Sequence, residues 1–186
     1  MKRFMAFLMA ALMSGPLAAS ELGDDGLHKA DWMRDTFMDL AEDLEEANAE
    51  GKRLMLLIEQ RGCIYCKKMH EEVFSSPDVR QALTDNFFVL QINMFGDVEV
   101  TDFDGTVLAE KDMVRRWGLL FTPTMIFLPE TVADGSSAVA ASVGTMPGAF
   151  GKHTTLHLLQ WVVEKGYDGD EPFQKYHARK LEEKES

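Results

Sequence analysis

The stretch EQRGCIYCKKMH, residues 59–70, contains both cysteines of the chain, Cys63 and Cys66, separated by Ile64 and Tyr65. Two thiols at this spacing serve as a structural staple, as half of a metal site, or as a redox pair. A disulfide that closes so short a loop restricts the unfolded chain little, because its effect grows with loop length. A domain of this size also does not need a staple to fold. A zinc site would need two further ligands, and His153 and His157 stand at the H-x₃-H spacing that completes a Cys₂His₂ centre. The two halves are separated by far more chain than a compact finger has. His157 also falls in an apolar helical stripe, where a packed, hydrogen-bonded histidine is the simpler account.

A redox pair needs one nucleophilic thiolate and a second thiol within reach. Cys63 follows a short apolar run and Gly62, and it opens a segment of helical spacing. Unpaired backbone N–H groups at a helix N-terminus favour thiolate over thiol, which makes Cys63 the expected nucleophile. Cys66 lies three residues later on the same face and can attack a mixed disulfide on Cys63. Lys67 and Lys68 add positive charge, screened on a surface helix. Glu59, on the preceding run, is the acidic candidate for taking a proton from Cys66; the alternative is a strand-end carboxylate in water. His70 either comes near the site or, on the simpler account, faces solvent from the helix. Thr122-Pro123 directly precedes a later apolar run. A proline there is either cis, leaving the preceding backbone free to pair with an incoming peptide, or an ordinary proline at a strand start.

The elements that position these residues follow from periodicity. Within residues 31–53, Phe37, Leu40, Ala41, Leu44 and Ala47 recur at helical spacing opposite an acidic face, and Gly51 ends the pattern. RLMLLIEQ (53–60) and FFVLQINM (87–94) are continuous apolar runs of the kind that form buried parallel strands. Helices are expected over 64–74, 78–84, 111–117 and 154–166, and a third strand over 124–130. Val98, Val100 and Phe103 alternate with polar residues before the turn signal Asp104-Gly105, an insertion suited to partner docking or to edge capping. Asp134-Gly135 predicts a hairpin leading to a fourth strand. The tail from Asp170 is charged, with a weak helical pattern. Strand–helix–strand units of this kind imply an α/β sheet with a parallel part, covered by helices.

The first residues, MKRFMAFLMAALMSGPLAAS, read as a secretory leader: Lys2 and Arg3, an apolar run from Phe4 to Met13, a Gly15-Pro16 break and small residues at Ala18-Ala19. The apolar run is too short to span a bilayer, which takes about 20 residues. Export would place the cysteines in an oxidising compartment. The chain carries 31 acidic and 19 basic side chains, a net charge of −12. Such a surface repels phosphate backbones and anionic lipid, so neither nucleic acid nor a membrane surface is an expected partner.

The strings GCIYCKKMHEEVF, NMFGDVEVTDFDG and RRWGLLFTPT resemble the thioredoxin superfamily, and more narrowly its SoxW-type periplasmic members, associated with bacterial sulfur oxidation. The resemblance runs from Trp32 to Tyr176. It implies an N-terminal helical extension over 20–52 and a thioredoxin-like domain over 53–168 with a central mixed sheet of four to five strands; the leader over 1–19 and the charged tail over 169–186, read from the residues themselves, complete the division of the chain. It also implies that Cys63 attacks, Cys66 resolves and Pro123 is the cis-proline facing them. Thr122, Ile64 and Tyr65 would border the docking surface. Electrons would come from a membrane thiol transporter and pass to a periplasmic protein disulfide, with no cofactor. A disulfide oxidase or isomerase, a cytochrome c maturation reductase, and a metal-binding module of Cys63, Cys66, His153 and His157 remain the alternatives. The sequence departs from the common pattern at Gly62, where thioredoxins carry tryptophan, at Ile64, where proline is common, and at Leu57, where a buried aspartate is usual.

Overall fold

The computed structural model describes residues 21–185, so the expected leader lies outside the described residues. Five strands form one sheet in the order β3 (Met33–Arg34), β5 (Phe87–Asn93), β4 (Arg53–Glu59), β8 (Thr124–Phe127) and β9 (Gly144–Pro147). β3, β5 and β4 run parallel, β8 is antiparallel to β4, and β9 is antiparallel to β8. Both expected apolar runs are therefore central strands, buried on two faces. Leu54, Leu56 and Ile58 of β4 point to one face, with Phe88, Leu90 and Ile92 of β5, against α1 (Leu40–Ala49) and α4 (Glu110–Arg116). Met55 and Leu57 point to the other, with Phe87 and Val89, against α3 (Pro77–Asn86) and α6 (Lys152–Val163). Leu57 is fully buried, and such burial stabilises by about 1.5–3 kcal/mol per side chain.

The extension differs from its expected form. Its helix begins at Leu40, because the Asp39 side chain accepts from the N–H groups of Ala41 and Glu42 and caps it there. Met38 before it has φ 58°, which no helix continues through, and Phe37 is exposed. Upstream lie β1 (Glu21–Leu22) and β2 (His28–Lys29), a small antiparallel pair, and then β3, which adds to the edge of the main sheet.

The insertion is the expected hairpin, β6 (Glu99–Thr101) and β7 (Val107–Ala109), with Gly105 at φ 79° in the turn. It is tied into the core by Val100 and Asp102, both buried. Asp102 Oδ1 accepts from the N–H groups of Phe103 and Ala138, and Oδ2 from Arg116 and Trp117 Nε1. After Asp134-Gly135 the chain forms one helical turn, α5 (Ala138–Ala141), before β9. Ser137 caps that turn by accepting from Ala140 N–H, which displaces the continuous hairpin expected there. The tail forms a helix, α7 (Phe173–Glu185), which packs on α6 through the buried Tyr176.

Candidate active site

β4 delivers the chain to the site and ends at Glu59; Gly62, at φ 71°, turns it into α2 (Ile64–Lys68). A residue with a Cβ is strained in that conformation, so glycine at the place usually held by tryptophan has a local backbone reason. Cys63 is the residue that caps α2: its Sγ lies 3.0 Å from the Cys66 N–H, which donates to it. Cys63 and Cys66 form a disulfide with Cα atoms 5.2 Å apart. Cys63 is 8% exposed and Cys66 1%, so an incoming sulfur reaches the first before the second.

Thr122-Pro123 is cis, as one of the two sequence readings required. It faces the pair: Thr122 Oγ1 lies 3.4 Å from Cys63 Sγ, and the Thr122 carbonyl oxygen lies 3.6 Å from it. The Pro123 carbonyl accepts from Gly148 N–H at 2.7 Å, which fixes this segment to the end of β9. Ile64 and Tyr65 beside Cys63 are exposed, and so are Leu120 and Phe121 before Thr122. The rim of the disulfide is therefore apolar, and Leu120 and Phe121 extend it beyond the residues the sequence had singled out. Lys67 and Lys68 stand on the outer face of the helix and pair with Glu71 and Glu72, which leaves little net charge there.

Beneath this surface is a buried polar cluster. Glu59 is 1% exposed, so it is not the strand-end carboxylate in water. His70 is likewise buried, contrary to the solvent-facing reading. The reason is twofold. His70 lies one turn beyond Cys66, which faces inward, and the helix widens into a π-helical stretch over Met69–Phe74 that turns Met69, His70, Val73 and Phe74 toward the sheet. His70 Nε2 lies 3.1 Å from each oxygen of Glu59, and Gln91 Nε2 donates to Glu59 Oε2 at 2.6 Å. Gln91 shares the sheet face of Phe87 and Val89, opposite Leu57. A polar residue inside an apolar strand was the one signal for it in the sequence. The ring of His28 stacks on His70 with centroids 5.0 Å apart; burial and the neighbouring His70 hold its pKa below the usual histidine value.

His153 and His157 are not brought to the cysteines as ligands. His157 Nδ1 is 2.8 Å from His177 Nδ1 on α7, and His153 Nε2 is 2.7 Å from Lys184 Nζ. Among the described residues no group of three or more His, Cys, Asp or Glu is arranged to hold a metal ion. No described helix is long and apolar enough to cross a membrane.

Comparison with known proteins agrees with this architecture. Residues 40–152 match the family described as thioredoxin-like domain, more than half of the chain. The chain belongs to that family, and its C-x-x-C pair is that of a thioredoxin-like thiol–disulfide oxidoreductase. The thiol:disulfide interchange protein DsbD of Colwellia psychrerythraea is 33% identical over 88 residues; the match covers 47% of this chain and only 13% of that much longer relative. A thioredoxin from Thermus thermophilus superposes with a TM-score of 0.52 at 26% identity, over 69% of this chain and 86% of its own. A thioredoxin-fold protein from Helicobacter pylori gives a TM-score of 0.58 at 13% identity, over 86% and 94% of the two chains, a likeness of fold alone.

Proposed function

We propose that this protein is an exported, periplasmic oxidoreductase that reduces protein disulfides through Cys63 and Cys66, in a SoxW-like role within bacterial sulfur oxidation. The observation that carries the reductive chemistry is the placement of Cys63 Sγ under Cys66 N–H and against Thr122, with Cys66 sealed behind it. The leader-like residues 1–19 support export, and the strings around the cysteines, the insertion and Thr122-Pro123 support the SoxW-like assignment. The name of the DsbD relative, a thiol:disulfide interchange protein, supports exchange with other protein thiols.

In the reduced protein the Cys63 thiolate attacks one sulfur of a substrate disulfide. The substrate S–S bond breaks, a mixed disulfide forms, and the departing substrate thiolate takes a proton. Cys66 then loses its proton to the Glu59 carboxylate and attacks Cys63 Sγ. The Cys63–Cys66 disulfide forms and the second substrate thiolate leaves, taking a proton in turn. Two electrons pass to the substrate, and the pair is left in the oxidised state seen here. A membrane thiol transporter would return it to the dithiol by the same exchange in reverse. The backbone at Thr122 would pair with the substrate chain, and Ile64, Tyr65, Leu120 and Phe121 would contact its apolar side chains.

Equilibration with glutathione buffers tests the direction of electron flow. A reduction potential near that of thioredoxin, about −270 mV, supports a reductant; one near about −120 mV would instead define an oxidase.

A further inference from the structure

The surroundings of Glu59 are completed by residues 28–32 of the N-terminal extension, a stretch that precedes the family match at 40–152. Gln91 has two N–H donors and one carbonyl acceptor to place. Its Nε2 donates to the His28 carbonyl at 2.8 Å and to Glu59 Oε2 at 2.6 Å, while Oε1 accepts from Lys29 Nζ at 2.6 Å. Both groups that orient the amide thus come from β2. A flipped amide would set its oxygen against the Glu59 carboxylate and its nitrogen against the Lys29 ammonium. On the other side of Glu59, His70 stacks on His28 and, with centroids 6.2 Å apart, on Trp32. Both partners of the carboxylate are therefore held by residues 28–32.

We propose that residues 28–32 are a positioning segment for the redox centre: β2 orients Gln91, and His28 and Trp32 hold His70, so that Glu59 stays a carboxylate ready for the Cys66 proton. This rests on the reading of Glu59 as the proton acceptor. A hydrogen bond donated to a carboxylate favours its charged form. The charged and titratable groups around Glu59 are His70 and His28, then Lys29 with its partner Asp25, and Lys67 and Glu71 on the outer face of the helix. The cluster is closed to solvent at Glu59 and His70 and open at Lys29, which is half exposed.

The test uses the full chain, reduced, and an aromatic disulfide whose coloured thiol is released first by Cys63 attack and again by Cys66 resolution. For Gln91→Leu we expect the first release to be unchanged. The acid limb of the second release should move to higher pH, slowing resolution about tenfold on that limb. Lys29→Met, at a half-exposed position, should move the same limb in the same direction by less. Glu59→Gln should abolish the limb. If Glu59→Gln leaves the second release unaltered, the proton-acceptor reading falls and this inference with it. If Glu59→Gln abolishes the limb while Lys29→Met and Gln91→Leu keep the parent profile, the positioning role of the extension alone is overturned. A purely structural role would lower the melting temperature without moving the limb.

Discussion

Two elements beside the central sheet use the same device and do different work with it. The hairpin β6–β7 is tied down by Asp102, and the N-terminal extension by Gln91; each is a buried polar side chain with its hydrogen bonds filled. All of Asp102's partners are structural: two backbone N–H groups, a tryptophan and an arginine. None belongs to the segment that carries the cysteines. Gln91 passes its last N–H to Glu59, which lies against His70, one turn beyond Cys66. A filled polar hub therefore becomes chemically relevant through what its last partner touches. The hairpin, with Val100 fully buried, has a core role whatever else its exposed residues do.

The largest expected effect is on the structural hub. Asp102→Ala should destabilise the protein by about 2–5 kcal/mol, because it leaves the buried Trp117 Nε1–H and Ala138 N–H without their acceptor. Gln91→Leu should cost about 1–3 kcal/mol, since it removes one amide from a neutral-to-charged network. Denaturant titration of both gives the ratio. Unfolding free energies in the reverse order would break the comparison, because the extension's hub would then be the main structural clamp. The folded fraction of Asp102→Ala should retain the parent pH profile of Cys66 resolution.

A further buried carboxyl sharpens the contrast because its hydrogen bonds are incomplete. Asp43 on α1 is buried, its Oδ2 has no partner, and burial is the leading cause that pushes its pKa from 3.8 up to about 6. The folded state then binds the proton more tightly than the unfolded state does. Folding is favoured below pH 3.8 and loses that contribution as pH rises through about 6. Asp43→Asn should therefore stabilise the protein by about 1 kcal/mol at pH 8, and the gain should vanish near pH 4. Thermal melts at the two pH values check this, and an equal effect at both would contradict it.

Much of this was legible in the sequence, for physical reasons. The central strands β4 and β5 are apolar on both faces, so continuous runs marked them, and the break at Gly62 marked the start of the helix that carries Cys63. The extension was hidden because β1, β2 and β3 are two-residue pairings fixed by tertiary contact, too short for a periodic signal. Phe37 fitted the helical spacing and still lies outside the helix, because the Asp39 cap outweighed it. His70 was misplaced because an ordinary helical register gives no sign of the π-helical stretch over Met69–Phe74. Glu59 was visible as a candidate. Its burial was not, since that depends on His70 and Gln91 arriving from two other segments.

The assignment of roles to the two cysteines is tested most directly by competition between them. The reduced protein is alkylated briefly at near-neutral pH and the adduct is mapped by mass spectrometry. Cys63 caps the helix and is the more accessible sulfur, while Cys66 is sealed beneath it. The account predicts label on Cys63 with Cys66 unmodified. Preferential labelling of Cys66 would contradict it.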